Sequence, residues 1–368
     1  MQLSNNHESF LALVRAGLWE TEVRLAPYEK IDFQEVYKLA QEQSVIGLVA
    51  AGLEHIVDIK APKDVILQFV GGTLQLEKRN KEMNDFVPKL ANKLIENNIY
   101  GLLVKGQGVA QCYERPLWRA AGDVDLLLDD NNYEKAKQLL FPIAYDIQKE
   151  NVYNKHQALA IMGVEVELHA KMPFAMSKRV DNEIDAVLND SLSNNGECVW
   201  RVNETDVYLP KPDNHVILVF THFLHHFFIE GVGLRQICDW CRMLWTYRDS
   251  LDYELLESRI KRMGLMSEWQ TFAALAVDTL GMPVEAMPFY DKRYKRNAKR
   301  VLKRILKSGN FGHNNDLSYR TKYKGLTYNV VSLWRRFVDF ASLIPVFPLD
   351  APRFFVTYVV NKANGAEE

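Results

Sequence analysis

Two aspartates one residue apart, Asp123 and Asp125, interrupt the otherwise apolar run from Gly122 to Leu128. Side chains alternate along a strand, so both carboxylates fall on one face, roughly 6 to 7 Å apart along the chain. Adjacent acids repel each other and lose hydration when buried, which gives a fold nothing. A hard divalent cation removes that conflict, because it binds through carboxylate oxygens. The competing reading is an edge strand whose aspartates face water. Val124 between them and Leu126, Leu127 and Leu128 after them argue for a central strand instead. Just upstream, the apolar run Ile99 to Val104 ends at Lys105-Gly106-Gln107-Gly108. This pattern predicts a strand meeting a tight turn whose backbone N–H groups and lysine could receive phosphate.

Further strands are expected at Tyr145 to Glu150, Ala158 to Met162, Val164 to His169 and Asp206 to Leu209. VEVELH alternates as a half-buried strand does, with Glu165, Glu167 and His169 on one face. His169 could orient a carboxylate, touch substrate or titrate near neutrality; a backbone-bonded strand-end histidine is the equal alternative. His156 reads as structural. Helical spacing covers Phe33 to Leu53 and Pro62 to Asn97, where Pro88 should bend the helix and Gly71-Gly72 weaken it. A polar helical excursion containing the loop SLSNNGE occupies 171–200, and Asp129 and Asp213 are expected helix caps. In the histidine-rich helix after Asp213, His222, His225 and His226 share a face and read as core or interface residues. Arg235 and Asp239, at i and i+4, form either an intrahelical pair or a cleft guanidinium. Cys238 and Cys241 lie at helical spacing without a second cysteine pair, which favours core packing over zinc or redox chemistry.

Lys105-Gly106, Arg119, Asp123-Val-Asp125 and Val166-Glu167-Leu168-His169 together resemble the uncharacterised bacterial nucleotidyltransferase family. That family belongs to the DNA polymerase β-like nucleotidyltransferase superfamily. The turn reads Lys-Gly-Gln-Gly where much of the superfamily has Gly-Ser. The resemblance implies an α+β fold, with a mixed-sheet core at 98–210 between helical regions at 1–97 and 211–368. It matches Glu167 to the third catalytic acid, with Glu165 in reserve. It also implies Mg²⁺ or Mn²⁺ on Asp123, Asp125 and Glu167, with Glu167 also able to take the nucleophile's proton. The nucleoside triphosphate would meet Lys105, Gly106, Gln107, Gly108 and Arg119, with His169 and Arg235 as auxiliaries. The acceptor stays open, and an inactive module that binds protein or nucleic acid is the alternative.

The 368 residues, 48% hydrophobic and 25% charged, suffice for two or three domains with a substantial core. A net charge of −2 predicts no general affinity for nucleic acid or anionic membrane. The basic amphipathic stretch Lys292 to Lys307 could meet nucleic acid, but a solvated surface helix is the preferred reading. Four cysteines form no disulfide framework, no run is long enough to span a membrane, and MQLSNNHESF lacks signal-peptide features. A cytoplasmic location is expected.

Overall fold

The computed structural model describes residues 3–152, 154–193, 198–202 and 204–363. Helices α1 (Asn5–Trp19), α2 (Phe33–Glu42), α3 (Ile46–Glu54) and α4 (Lys63–Glu96) precede the first strand. Pro88 and Gly71-Gly72 both lie inside α4, which runs on through them for 34 residues. The expected single helix over Phe33 to Leu53 is instead broken at Ser44, whose φ is +55°. The break frees the buried Gln43 amide: its Nε2 donates to Ile305 O and its Oε1 accepts from Leu234 N. One side chain thereby ties the N-terminal helices to the C-terminal ones.

The central sheet contains β1 (Leu102–Val104), β2 (Val124–Leu127), β3 (Asp146–Ile147), β4 (His156–Ile161) and β5 (Val164–His169), in the order β1-β2-β5-β4-β3. β2 is therefore interior, antiparallel to β1 and parallel to β5. The short helix α5 (Gly106–Ala110) follows β1, and α6 (Asp130–Leu140) follows β2, capped by Asp129 through Asn132 N. Alternation sorts the faces. Val124, Leu126, Val166 and Leu168 bury one side against Phe86 and Leu90 of α4 and Tyr133 of α6. Asp125, Glu167, His169 and His156 fall on the opposite side.

Beyond the sheet come α7 (Lys178–Ser193) and a separate hairpin of β6 (Cys198–Val202) and β7 (Thr205–Leu209). β6 is a strand that the sequence pattern did not reveal. Ser191 to Ser193 of the expected loop SLSNNGE end α7, and residues 194–197 lie outside the described residues. Next are α8 (Pro212–Ile229), α9 (Leu234–Tyr247), α10 (Tyr253–Met263) and α11 (Met266–Asp278), with α12 (Lys295–Ser308), α13 (Tyr319–Lys322), α14 (Gly325–Leu343) and α15 (Asp350–Ala363) closing the chain. Asp213 does not cap α8; it lies in the first turn and accepts from Asp252 N.

The basic helix α12 buries Ala298, Val301, Leu302 and Ile305. Its arginines fasten the C-terminal helices, Arg300 donating to Pro345 O and Arg304 to Ser342 Oγ. Cys238 and Cys241 are fully buried in α9, and burial pushes both thiols up. Among the described residues, no helix is long and apolar enough to cross a membrane.

Where α11 meets α15, Glu268 is wholly buried and one of its carboxylate oxygens has no hydrogen-bond partner. Burial, and then the nearby Asp350, push its pKa up to about 8. The folded state thus keeps a proton that the unfolded chain releases above its ordinary range. Stability contributed by the protonated form is intact at acid pH and falls as pH climbs toward 8. Glu268→Gln should flatten the fall in Tm between pH 5 and 8, with the variant gaining most over wild type at the alkaline end, measured by thermal melts across that range.

Candidate active site

The parallel register of β2 and β5 sets Asp125 directly opposite Glu167, while the antiparallel register of β4 and β5 sets His156 opposite His169. Asp123, Asp125 and Glu167 come together so that a ligand oxygen from each lies within 4.8 Å of the others. Glu165, the reserve acid, instead accepts from Gln148 Nε2.

The turn after β1 aims the lysine. Lys105 has φ +60° and Gly106 φ +44°, and a Cβ on Gly106 would lie 3.2 Å from Asp123 O. Lys105 N–H donates to His215 Nε2, and its side chain turns back to place Nζ 2.6 Å from Asp125 Oδ1 and 3.3 Å from His222 Nε2. Gln107 does not face the carboxylates; its amide donates to Asn84 Oδ1. Gly108 leaves room for packing, since a Cβ there would meet the Leu209 side chain at 2.7 Å.

Opposite charges offset much of the carboxylate crowding. Asp125 is 1% exposed and takes contacts from Lys105 Nζ and, at 3.0 Å, from His169 Nε2. The adjacent Asp125 charge, with burial second, raises the Asp123 pKa. Burial works against the Lys105 ammonium, but Asp125, Asp123 and Glu167 outweigh it and raise its pKa. Glu167 is the contrasting case. Burial opposes its charge, yet His156 and His169 beside it hold its carboxyl far below the usual range. Such a carboxylate is a good cation ligand.

The two arginines stand back from the acids. Arg119 is buried and forks onto Asp239, with Nε 2.7 Å from Oδ1 and Nη2 2.8 Å from Oδ2; Tyr113 adds a hydrogen bond to the same carboxylate. This is the geometry of a structural clamp. Of the two placements open for Arg235, the intrahelical pair with Asp239 does not form, since Arg235 donates to Ala120 O and its Nε is buried without a partner. Both arginines line a cavity of about 50 Å³ that reaches Lys105, Asp123 and Asp125.

A larger cavity of about 470 Å³ opens beside Lys105, Asp123 and Glu167, lined also by Asn151, Lys171 and Phe174 and by α8 through His222, His225 and His226. The α8 histidines therefore form a cavity wall, a placement that helical spacing alone could not distinguish from core. Burial first, and then Lys105, push His222 well down; burial lowers His225 to about 4. His156, read from the sequence as structural, has its Nε2 3.3 Å from Glu167 Oε2.

The acidic set fits a divalent cation. Besides the three converging carboxylates, Asp125 Oδ2 is buried and has no hydrogen-bond partner. An oxygen left in that state costs free energy that a cation would recover.

A model of the uncharacterised nucleotidyltransferase family matches residues 29–281. No curated protein matches the chain. Among solved structures, the chain is similar to an antigenic nucleotidyltransferase-like protein from Paracoccidioides brasiliensis. Identity is 18%, with 55% of this chain and 94% of that one covered at a TM-score of 0.34. So weak a likeness carries no argument.

The two aspartates should differ in stability. Asp123→Asn relieves repulsion and should leave Tm unchanged or higher. Asp125→Asn strands the Lys105 ammonium and should cost on the order of 3 kcal/mol, read from denaturant melts without metal.

Proposed function

The chain belongs to the uncharacterised nucleotidyltransferase family, and from that membership we propose that it moves a nucleoside monophosphate from a nucleoside triphosphate to a hydroxyl or phosphate acceptor. The convergence of Asp123, Asp125 and Glu167 beside Lys105 is the observation that carries this reading. We further propose the polymerase β-like form of the fold, with 98–210 as its core and 1–97 and 211–368 as flanking helical regions.

Asp123, Asp125 and Glu167 would hold Mg²⁺ or Mn²⁺. When bound, such an ion supplies neutralising charge for the triphosphate and for the oxygens of the transfer. Lys105 adds fixed positive charge where pyrophosphate departs. The Gly106 turn brings backbone N–H groups to the same end of the cleft. An acceptor oxygen forms its bond to the α-phosphorus, the bond from that phosphorus to the bridging oxygen breaks, pyrophosphate leaves, and a hydroxyl acceptor's proton passes to water. The larger cavity, with polar and aromatic walls, offers room for acceptor and nucleotide. His169 keeps Glu167 and Asp125 aligned. Arg119 and Arg235 hold the loop before β2, the first through Asp239 and the second through Ala120 O.

A second reading, an inactive module of the same fold, draws on one observation. Lys105 already neutralises Asp125 at 2.6 Å, as a resident ammonium could in place of a metal. Incubation with α-³²P- and γ-³²P-labelled triphosphates in Mg²⁺ or Mn²⁺ separates the two. Transfer of α-label to an acceptor from a cell extract is expected, falling at least about a thousandfold in Asp123→Asn and Glu167→Gln, since several kcal/mol of charge stabilisation are lost. Absence of transfer, with no metal-dependent rise in Tm on adding any of the four triphosphates, would favour the inactive module.

A further inference from the structure

The face that carries the acids also carries a second donor set of different chemistry. His169 Nε2 and His156 Nε2 lie 3.2 and 3.3 Å from the same oxygen, Glu167 Oε2, and all three ligand atoms are within 4.8 Å of one another. The two imidazoles stack with centroids 4.7 Å apart and planes 23° apart, so both rings present the same edge toward Glu167. The pairing of β4 with β5 enforces this, because His156 and His169 are direct cross-strand partners. His156 Nε2 is buried and makes no hydrogen bond. The cluster borders the large cavity, which gives an ion an entry path.

We propose that His156, Glu167 and His169 form a second cation site, selective for a borderline transition metal such as Zn²⁺ over Mg²⁺, with Glu167 bridging to the Asp123/Asp125 site. Two imidazoles and one carboxylate are a donor set that suits zinc and its neighbours and leaves a coordination position open. With Zn–N and Zn–O distances of about 2.0 to 2.2 Å, a tetrahedral site has donor–donor edges of about 3.3 to 3.5 Å. The two measured edges to Glu167 Oε2 lie close to that range. Mg²⁺, which demands oxygen ligands in a near-ideal octahedron, is poorly served by two nitrogens. The bridging role of Glu167 rests on the carboxylate-site reading above; the nitrogen site itself does not. An ion here would fix the Glu167 rotamer and withdraw charge from the carboxylate shared with the catalytic cation, making it a positioning device for the reaction.

The test uses the full chain, purified metal-free, with Co²⁺ as spectroscopic probe and Zn²⁺ in a chelator competition. Wild type should show visible d–d absorption of nitrogen-ligated, low-coordinate Co²⁺, displaced by Zn²⁺ and not by millimolar Mg²⁺. His156→Ala should weaken Zn²⁺ at least about a hundredfold and abolish the spectrum, while Asp123→Asn should retain it. Melts without metal confirm that both variants are folded, and His156→Gln, which keeps a side chain of similar size but no imidazole, should behave as the alanine variant does. A wild-type protein without the d–d band, or a band that survives His156→Ala and disappears in Asp123→Asn, would overturn the second site. Failure of the transferase reading shows separately, as absent α-phosphate transfer in Mg²⁺ whatever Co²⁺ does.

Discussion

Negative charge gathered on one face of a buried sheet is the constraint around which this molecule is built. Asp123, Asp125 and Glu167 lie just before an interior strand, within it and on its parallel neighbour, with Asp125 buried and the other two partly so. Left alone, three such carboxylates would protonate or splay apart. Lys105 and His169 hold them in place, with Lys105 Nζ 2.6 Å and His169 Nε2 3.0 Å from one Asp125 oxygen. Much of the surrounding architecture serves those two side chains. The positive-φ turn at Lys105-Gly106 folds the lysine back over the strand end, and His215 on α8 accepts the Lys105 N–H.

The division of labour between the faces of the sheet follows from the same constraint. The opposite face is mainly apolar and packs on α4 and α6, so the strands are anchored without help from the acidic side. That leaves the acidic side free to carry groups that oppose folding individually. The helices supply the rest of the enclosure. Asp239 on α9 clamps Arg119 from the loop before β2, and Gln43 ties the N-terminal helices to α9 and α12. The cavity is thus walled by segments distant in sequence, Lys171 and Phe174 on one side and His222 to His226 on the other.

Charge balance also separates residues that composition alone treats alike. Glu165 and Glu167 share a strand face, yet Glu165 accepts from Gln148 while Glu167 Oε2 lies 3.2 to 3.3 Å from two histidine nitrogens. Arg119 and Arg235 both line the small cavity that reaches the acids, yet the first forks onto Asp239 and the second donates to a backbone carbonyl. Proximity in a motif therefore does not identify the group that acts; what matters is which partner already occupies its hydrogen bonds.

Asp-Val-Asp in an apolar run, the turn at Lys105 and the alternation of VEVELH were legible without coordinates, because strand period and turn chemistry are local properties of the chain. They defined the strands at the centre of the sheet and which residues share a face. What they could not convey was register, and register is what sets Asp125 against Glu167 and His156 against His169. Nor could helical spacing tell that the α8 histidines line a cavity, or that Gln107 and Arg119 turn to Asn84 and Asp239. Those choices depend on long-range packing, where a side chain takes the best partner the assembled fold offers. The strand β6 escaped for a related reason: its burial alternates only weakly, and it is a strand chiefly because β7 pairs with it. Local chemistry wrote the donors into the chain; tertiary structure decided which of them meet.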